Sequence, residues 1–390
     1  AFSIGLLLAY ILTSAINARA SFSINTKEYT YFNTFNPSIP HTYDARATWL
    51  IFWQYLGLML LFYSARDWIV GAKYFEQTIS INPRLKRLLY VVLINGGILA
   101  LESIIQNLYY GEYQEGKLLF LVEPGINSLN EGQFGPFAYR SNACSYQNLL
   151  WPIGIGLFIQ LGRENHEYKN KRIGLSSELI LLPCIILSAS SSVISSSRGG
   201  SLVMLGLMIV CMCYVYTLNN RSNFIKFSIP ISMLLLLIIG FQFGWDKLEA
   251  RLLNIFTDNL GGRSGIYNTT LKAINDYGIY GTGPGTFESI MQFEIGESLG
   301  KWESWAHNDY LEFYLTLGKP GVIILVFIIF LFLSSCYIQY LNRSSNKIIM
   351  PFCLIAIFGL GTHAIMDFPL QVHSILVILT IICSIINNNK

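Results

Sequence analysis

The sequence predicts an all-α fold: a polytopic transmembrane helical bundle with one long, partly helical extracytoplasmic loop. Apolar residues make up 53% of the 390 positions and charged residues only 13%, whereas roughly a quarter of a soluble domain is charged. The apolar residues fall into blocks of about 17 to 25, enough at about 1.5 Å per residue to cross roughly 30 Å of hydrocarbon. Lys and Arg collect in every second short loop between those blocks, which places them on one side of the membrane.

Ten blocks are long enough to be spans, at about 1-17, 48-65, 88-108, 147-162, 174-195, 201-218, 227-244, 318-341, 348-366 and 370-386. The clearest contains VIILVFIIFLFL, which has no polar side-chain atom. Two of the blocks carry Glu102, Gln106, Glu178 and several serines. Because polar groups inside a bilayer are costly, we expect those two spans to face other helices or a wet cavity.

The chain opens within an apolar block and without an initiator Met, so we expect one or two further spans before it, for about twelve in the full protein. Residues 1-17 could instead be the apolar core of a signal peptide, although no basic segment precedes them and no small-residue cleavage site stands out. With no linker, repeat or soluble domain visible, residues 1-390 are predicted to form a single membrane domain.

Basic residues in the loops predict the orientation. Two loops should be cytoplasmic because they carry Arg66, Lys73, Arg84, Lys86 and Arg87, and Arg163, Lys169, Lys171 and Arg172. Alternation then places Arg221, Lys226, Arg343, Lys347 and Lys390 on the same side. The opposite face receives loops 18-47 and 109-146, the turn near Arg198, the long segment 245-317 and the turn at Asp367. The net charge of +3 is thus a topological signal and does not indicate nucleic-acid binding.

Segment 245-317 is the candidate catalytic loop. Its glycine-rich part, 277-287, reads YGIYGTGPGTF, which predicts a structured turn that brings backbone N–H groups close to something. As a phosphate cradle the signal is weak, because the string lacks the Lys-Ser/Thr of a P-loop. A tight turn between two short external helices is the alternative.

His307 lies at the predicted mouth of the span that follows. Asn308 or Asp309 can cap that helix, whose apolar residues recur at helical spacing. An imidazole titrates near neutral pH and suits a general base. A lone histidine is nevertheless more often structural, so this residue alone does not decide the function.

Three arginines share the outer level, where arginine is the minority case. Arg198 lies between a serine run and two glycines, and Arg251 and Arg263 lie in the long loop. A guanidinium fork matches the oxygens of phosphate or carboxylate, so these residues are candidates for anion recognition. Interfacial salt bridges are the alternative.

Several motifs together resemble the bacterial O-antigen ligase family, which includes O-antigen polymerases and pilin-type O-oligosaccharyltransferases. His307-Asn308, nine residues, then Gly318-Lys319-Pro320-Gly321 is similar to the family signature His-Asn/Ser-x9-Gly-x-x-Gly. Further similar strings occur in the family's order, namely GPFAYRSN at 135-142, SSRGG at 196-200, GGRSGIY at 261-267, GTGPGTF at 281-287 and His363 followed by DFPL at 367-370.

The resemblance implies a metal-independent, inverting glycosyltransferase without a cofactor, in the bacterial inner membrane with its site facing the periplasm. The donor would be a glycan on undecaprenyl diphosphate. The acceptor would be lipid A-core for a ligase, which is the expected activity, or the growing glycan for a polymerase, or a protein for an oligosaccharyltransferase. By resemblance, His307 is the general base and Arg198 and Arg263 stabilise the diphosphate, while the substrate-binding residues are expected to be Arg140, Arg251, Asn308 and Tyr267.

Three other interpretations of these residues are open. Asp309 or Glu312 could be a nucleophile that forms a covalent glycosyl-enzyme, although no clear pair of external carboxylates supports it. His363 and Asp367 are predicted to share a helix face and to form a structural hydrogen-bonded pair that holds the mouth of the bundle, with a catalytic dyad as the alternative. A transporter or flippase, with Glu102, Glu178 and His363 along its path, remains the alternative class.

Overall fold

The computed structural model describes residues 2–23, 25–26, 28–71, 81–110, 132–167, 177–218, 223–253, 263–294, 304–341 and 348–387. Within these residues the chain forms twelve α-helices, which are α1 (Phe2–Ile16), α2 (Ala45–Val70), α3 (Pro83–Tyr110), α4 (Arg140–Glu167), α5 (Leu181–Ile194), α6 (Arg198–Thr217), α7 (Asn223–Leu253), α8 (Arg263–Asp276), α9 (Phe287–Glu294), α10 (Asp309–Leu341), α11 (Ile349–His363) and α12 (His373–Ile386). Short 3-10 helices cover Ser177–Ile180 and Pro369–Gln371.

Helices overlap all ten predicted spans, and four of them are long and apolar enough to cross a membrane, over Ala45–Val70, Pro83–Leu108, Arg198–Thr217 and Asp309–Leu341. The count of ten spans therefore stays a prediction. The orientation prediction depends partly on Lys73, Lys169, Lys171, Arg172, Arg221, Arg343, Lys347 and Lys390, which lie outside the described residues. The predicted catalytic loop is described except for 254–262 and 295–303.

One antiparallel hairpin interrupts the all-α prediction. Strands β1 (Ala20–Ser23) and β2 (Glu28–Tyr31) pair with Ala20 opposite Tyr31 and Ser23 opposite Glu28. Aromatic rings gather on it, since Tyr29 lies 5.1 Å from Phe22 between ring centroids. The predominantly helical class is confirmed, with this small β element added in loop 18-47.

The chain divides into two compact units. Unit 1 comprises Ala1–Ser64, Ile255–Leu341 and Ala364–Gln371. In it α10 packs against α1, α8 and α9, around a buried cluster of Ile266, Ala273, Phe287, Met291, Ala306 and Leu315. Unit 1 therefore contains the end of the predicted catalytic loop and the first turns of its span.

Helix α10 is kinked within unit 1. Gly318 has φ 62° and ψ −173°, outside the helical region, and Pro320 has no N–H with which to bond the carbonyl four residues earlier. The N–H of Lys319 leaves the helix and donates to the carbonyl of Ile279 at 2.9 Å. The Gly-x-x-Gly end of the motif is thus a break in the helix.

The glycine-rich turn closes this break. It satisfies the freed carbonyls of α10, because Thr282 N donates to Leu315 O and Gly283 N to Thr316 O, each at 2.9 Å. The hydroxyl of Tyr10 donates to Leu317 O at 2.6 Å. Gly281 has φ 70°, and a Cβ there would collide with Leu315 O, so glycine is required. Irregular backbone in an apolar helix is tolerated only when its polar groups are satisfied in this way.

Unit 2 comprises Ala65–Asn254, Asn342–His363 and Val372–Lys390, and α4 is its centre. Helix α4 packs against α3, α5, α6, α11 and α12, and its residues from 141 to 161 are all buried. Its polar side chains bond to neighbours, as when Gln147 Nε2 donates to Gly96 O at 3.2 Å and Asn148 Nδ2 to Gly200 O at 2.9 Å. Such polar content explains why α4 is not among the four strongly apolar helices.

The two polar spans behave as expected. Glu102 and Gln106 of α3 are buried, as are Ser188 to Ser192 of α5, and α3 and α5 pack against each other. The prediction that these spans face other helices is confirmed for these residues. The side chain of Glu178 lies outside the described part of the chain.

Candidate functional site

His307 is held just before the first turn of α10. Asn308 caps that helix, because its Oδ1 accepts the N–H of Leu311 at 3.1 Å, as predicted from the sequence. His307 itself has φ 52°, a left-handed conformation that non-glycine residues adopt rarely and that tends to occur at functional sites. The cap therefore fixes the backbone that carries the imidazole, and it engages the side-chain oxygen of Asn308, a residue predicted to bind substrate.

Asp367 is the polar partner of His307. The His307 Nδ1 and the Asp367 Oδ1 are 3.1 Å apart, and the side chains are only 18% and 5% exposed. A carboxylate oxygen accepts, so this contact requires a hydrogen on Nδ1. In the neutral imidazole the lone pair is then on Nε2, which is the arrangement of a base oriented by a carboxylate.

Helix α8 brings two further residues to the same place. Arg263, its first residue, directs NH2 to Asp367 Oδ2 at 3.4 Å, and its NH1 donates to the carbonyl of Met366. One turn later the Tyr267 hydroxyl donates to the His307 carbonyl at 2.8 Å. The two oxygens of one carboxylate thus contact a histidine and an arginine from two different parts of the chain.

Aromatic residues around the pair formed by His307 and Asp367, the dyad, limit rotation of the imidazole. Phe368 lies edge-on to His307 with ring centroids 5.0 Å apart, and it stacks on Trp305 at 5.2 Å and 12°. Burial raises the pKa of the Tyr267 phenol, and the nearby Arg263 opposes that rise. Tyr267 therefore stays a neutral hydrogen-bond donor to the His307 backbone near neutral pH.

The glycine-rich turn has a structural role. Its N–H groups at 282 and 283 donate to carbonyls of α10, so these two are engaged by protein oxygens. The prediction of a structured turn is confirmed, and of the two interpretations this geometry favours the tight turn.

Arg198 and Arg140 lie in unit 2, each as the first residue of a helix. The starts of α6 and α4 pack together, because a Cβ on Gly200 would collide with Cys144 and Asn148 bonds Gly200 O. The serine run does open α6, since the Ser197 side chain accepts from Gly200 N. Arg251 falls within α7, but its side chain lies outside the described residues.

One sequence prediction about this region is wrong. His363 and Asp367 do not share a helix face, because α11 ends at His363. The His363 ring instead contacts the hydroxyls of Ser141 at 3.0 Å and Ser145 at 2.7 Å. Asp367, assigned from the sequence to a structural pair, is the candidate site residue that sequence reasoning missed, because it contacts His307. The signal that could have revealed it is an acid in a short turn between two apolar blocks, on the same predicted side as His307.

These features define a class of protein: a helical membrane protein in which a histidine paired with a carboxylate and an arginine form one partly buried site. Residues 183–326 match the family model described as O-Antigen ligase, which confirms the resemblance to that family and supports a glycosyltransferase of the O-antigen ligase and polymerase type. The match contains Arg198, Arg263, Tyr267, His307 and Asn308, and ends before Asp367. No curated protein and no solved structure matches the chain.

Proposed function

We propose that this protein is an O-antigen ligase, which moves a glycan from undecaprenyl diphosphate to a hydroxyl of lipid A-core at the periplasmic face of the inner membrane. The hydrogen-bonded group of His307, Asp367 and Arg263 in unit 1 carries this proposal. It combines a base of fixed tautomer with a guanidinium suited to phosphate, and both His307 and Arg263 lie within the family match.

The reaction is a single displacement. His307 Nε2 removes the proton of the acceptor hydroxyl as that oxygen attacks the anomeric carbon, so a new C–O bond forms while the bond from carbon to the diphosphate oxygen breaks. The electron pair leaves with the diphosphate, the anomeric configuration inverts, and the proton passes from the imidazolium to solvent or to the leaving phosphate. Asp367 stabilises the imidazolium that forms.

Besides a base, the reaction requires stabilisation of the negative charge on the leaving diphosphate. Negative charge builds on the diphosphate oxygen as the glycosidic bond breaks, and positioned cationic donors stabilise it. We assign that role to Arg263 and Arg198, with Arg140 and Arg251 as additional donor-binding residues. Arg263 is supported by its place beside His307, whereas the other three are supported by the resemblance alone.

The test is transfer of a labelled glycan from undecaprenyl diphosphate to lipid A-core in liposomes. His307→Ala and Arg263→Ala should each lose activity, and a positioned base alone is worth about 10²- to 10⁴-fold. His373→Ala and Arg46→Ala are the matched controls, since both residues are exposed and outside the proposed site.

The acceptor decides the name of the activity. Transfer only to the growing glycan, or only to a pilin-like protein, would keep the chemistry and change the activity to that of a polymerase or a protein O-oligosaccharyltransferase. Wild-type protein that transfers to none of the three acceptors, yet moves the lipid-linked glycan across a bilayer, would support a transporter and refute the proposal.

A further inference from the structure

The first turn of α10 carries two buried carboxylates that the proposed reaction does not use. Asp309 is 0% exposed and Glu312 is 4% exposed. Carboxylates near a helix N-terminus interact favourably with its dipole, but that gain is small and is obtained equally well at an exposed position. Burial of a carboxyl group is costly, so these two side chains must make contacts that compensate for it.

Glu312 holds the residue that precedes the proposed base. Its Oε2 accepts the backbone N–H of Ala306 at 3.0 Å, and Ala306 is fully buried. In a capping box the acid three residues after the N-cap reaches back to the N-cap N–H. Here the N-cap is Asn308. Glu312 lies four residues after it, one more than in a capping box, and its side chain bonds Ala306, which lies two residues before the N-cap. The bond therefore fixes the approach to His307 rather than closing the helix end.

Asp309 holds the segment that carries Asp367. Its backbone N–H donates to Ala364 O at 2.9 Å, its Oδ2 accepts Leu370 N at 2.8 Å, and its Oδ1 accepts Gln371 Nε2 at 3.1 Å. One residue thus fixes both ends of residues 364–371. Asp367 lies in the middle of this segment, three residues from each bonded backbone group.

From these contacts we infer that Asp309 and Glu312 are positioning residues, a carboxylate clamp that sets the separation and orientation of His307 and Asp367. This inference rests on the proposed function, because it explains how that base is aligned. The two acids lie three residues apart on one rigid helical turn, so their side chains are neighbours on its surface. The first turn of α10 therefore holds both the backbone before His307 and the segment that carries Asp367.

The clamp acts through hydrogen-bond acceptance, which gives a sharp test with matched substitutions. Glu312→Gln keeps an oxygen for Ala306 N, whereas Glu312→Met has a similar length and no such oxygen. Asp309→Asn keeps an oxygen for Leu370 N if Gln371 turns its amide over, whereas Asp309→Leu accepts neither bond. The experiment measures kcat and the KM for undecaprenyl-diphosphate-linked glycan in liposomes, on protein that is monodisperse and matched in melting temperature.

Glu312→Met and Asp309→Leu should lower kcat about 10²-fold, the order expected when catalytic groups are displaced by about an ångström, with little change in donor KM. The amide variants should restore kcat to within about threefold of wild type, since they keep the acceptor. Glu312→Met should add no further loss to His307→Ala, because residues that act through one another are not additive.

The outcomes separate this inference from the proposed function. Full activity in His307→Ala would refute the proposed site itself. Loss in His307→Ala together with wild-type kcat in Glu312→Met and Asp309→Leu would refute the clamp alone, as would an equal loss in the amide variants or an effect confined to KM. If the apolar variants do not fold, Gln371→Leu removes one bond to Asp309 from a half-buried side chain; a reduced kcat at unchanged melting temperature supports the clamp, and an unchanged kcat overturns it.

Discussion

Replacing Asp367 with Asn removes the negative charge that faces the His307 imidazole and keeps the size of the side chain. With 3.1 Å between Nδ1 and Oδ1 and an effective dielectric constant of about 20, an imidazolium and a carboxylate attract by about 5 kcal/mol. Arg263 interacts with the same carboxylate at 3.4 Å, so this value is an upper limit. At about 1.4 kcal/mol per tenfold in rate, the limit corresponds to roughly 10⁴-fold.

We therefore expect Asp367→Asn to lower kcat by about 10²- to 10⁴-fold, the range of one general base. An asparagine amide can also donate to Nδ1, which would place the ring hydrogen on Nε2 and remove the base. The assay is single-turnover transfer in liposomes at saturating donor, with Asp276→Asn as the control because Asp276 is exposed at the end of α8. An Asp367→Asn enzyme within about twofold of wild type would refute the assignment of Asp367 as the partner of the base.

Three further predictions concern Arg263, the glycine-rich turn and the orientation in the membrane. Arg263→Lys should lower kcat/KM about 10- to 100-fold, because a lysine keeps the charge but cannot reach both Met366 O and Asp367 with a planar fork; full activity would show that charge alone suffices. Gly281→Ala should lower the melting temperature in detergent by several degrees, while Gly265→Ala, which meets open space in α8, should be neutral or slightly stabilising; equal effects would contradict the close approach to α10. Reporter fusions after residue 130 and after residue 290 should both report the extracytoplasmic side, and a cytoplasmic signal from either would overturn the predicted orientation.

The sequence predicts the helices of this fold well because burial in a bilayer leaves a strong signal in hydropathy. The sequence predicts the local structure less well where contacts between distant segments determine it. The break at Gly318 is visible as Gly-Lys-Pro-Gly, but its function as the docking place for residues 279–283 depends on hydrogen bonds between segments more than thirty residues apart. The β1–β2 hairpin was not predicted, since four-residue strands carry too little periodicity to be recognised.

The site was predicted in part, for a similar reason. The motifs indicate His307 and Arg263 as candidates, and the position before the helix indicates Asn308 or Asp309 as the cap, of which the structure has Asn308. Asp367 was assigned to His363, because four residues apart in a predicted helix implies a shared face. The chain leaves the helix at His363, and this single boundary moves Asp367 to His307 instead. Errors of a few residues at a helix end are ordinary, but here the error changes which residue is assigned as the partner of Asp367.

The arrangement around Asp367 also bears on the proposed reaction, because it brings an arginine and the proposed base to one carboxylate in a partly buried site. Arg263 contacts one oxygen of the Asp367 carboxylate and His307 contacts the other. His307, Asp367 and Arg263 together therefore carry no net charge when the ring is neutral. In the proposed reaction, removal of the acceptor proton makes this group positive at the moment when negative charge builds on the leaving diphosphate. We therefore expect the same three side chains to supply the base before the transfer and a favourable electrostatic environment during it.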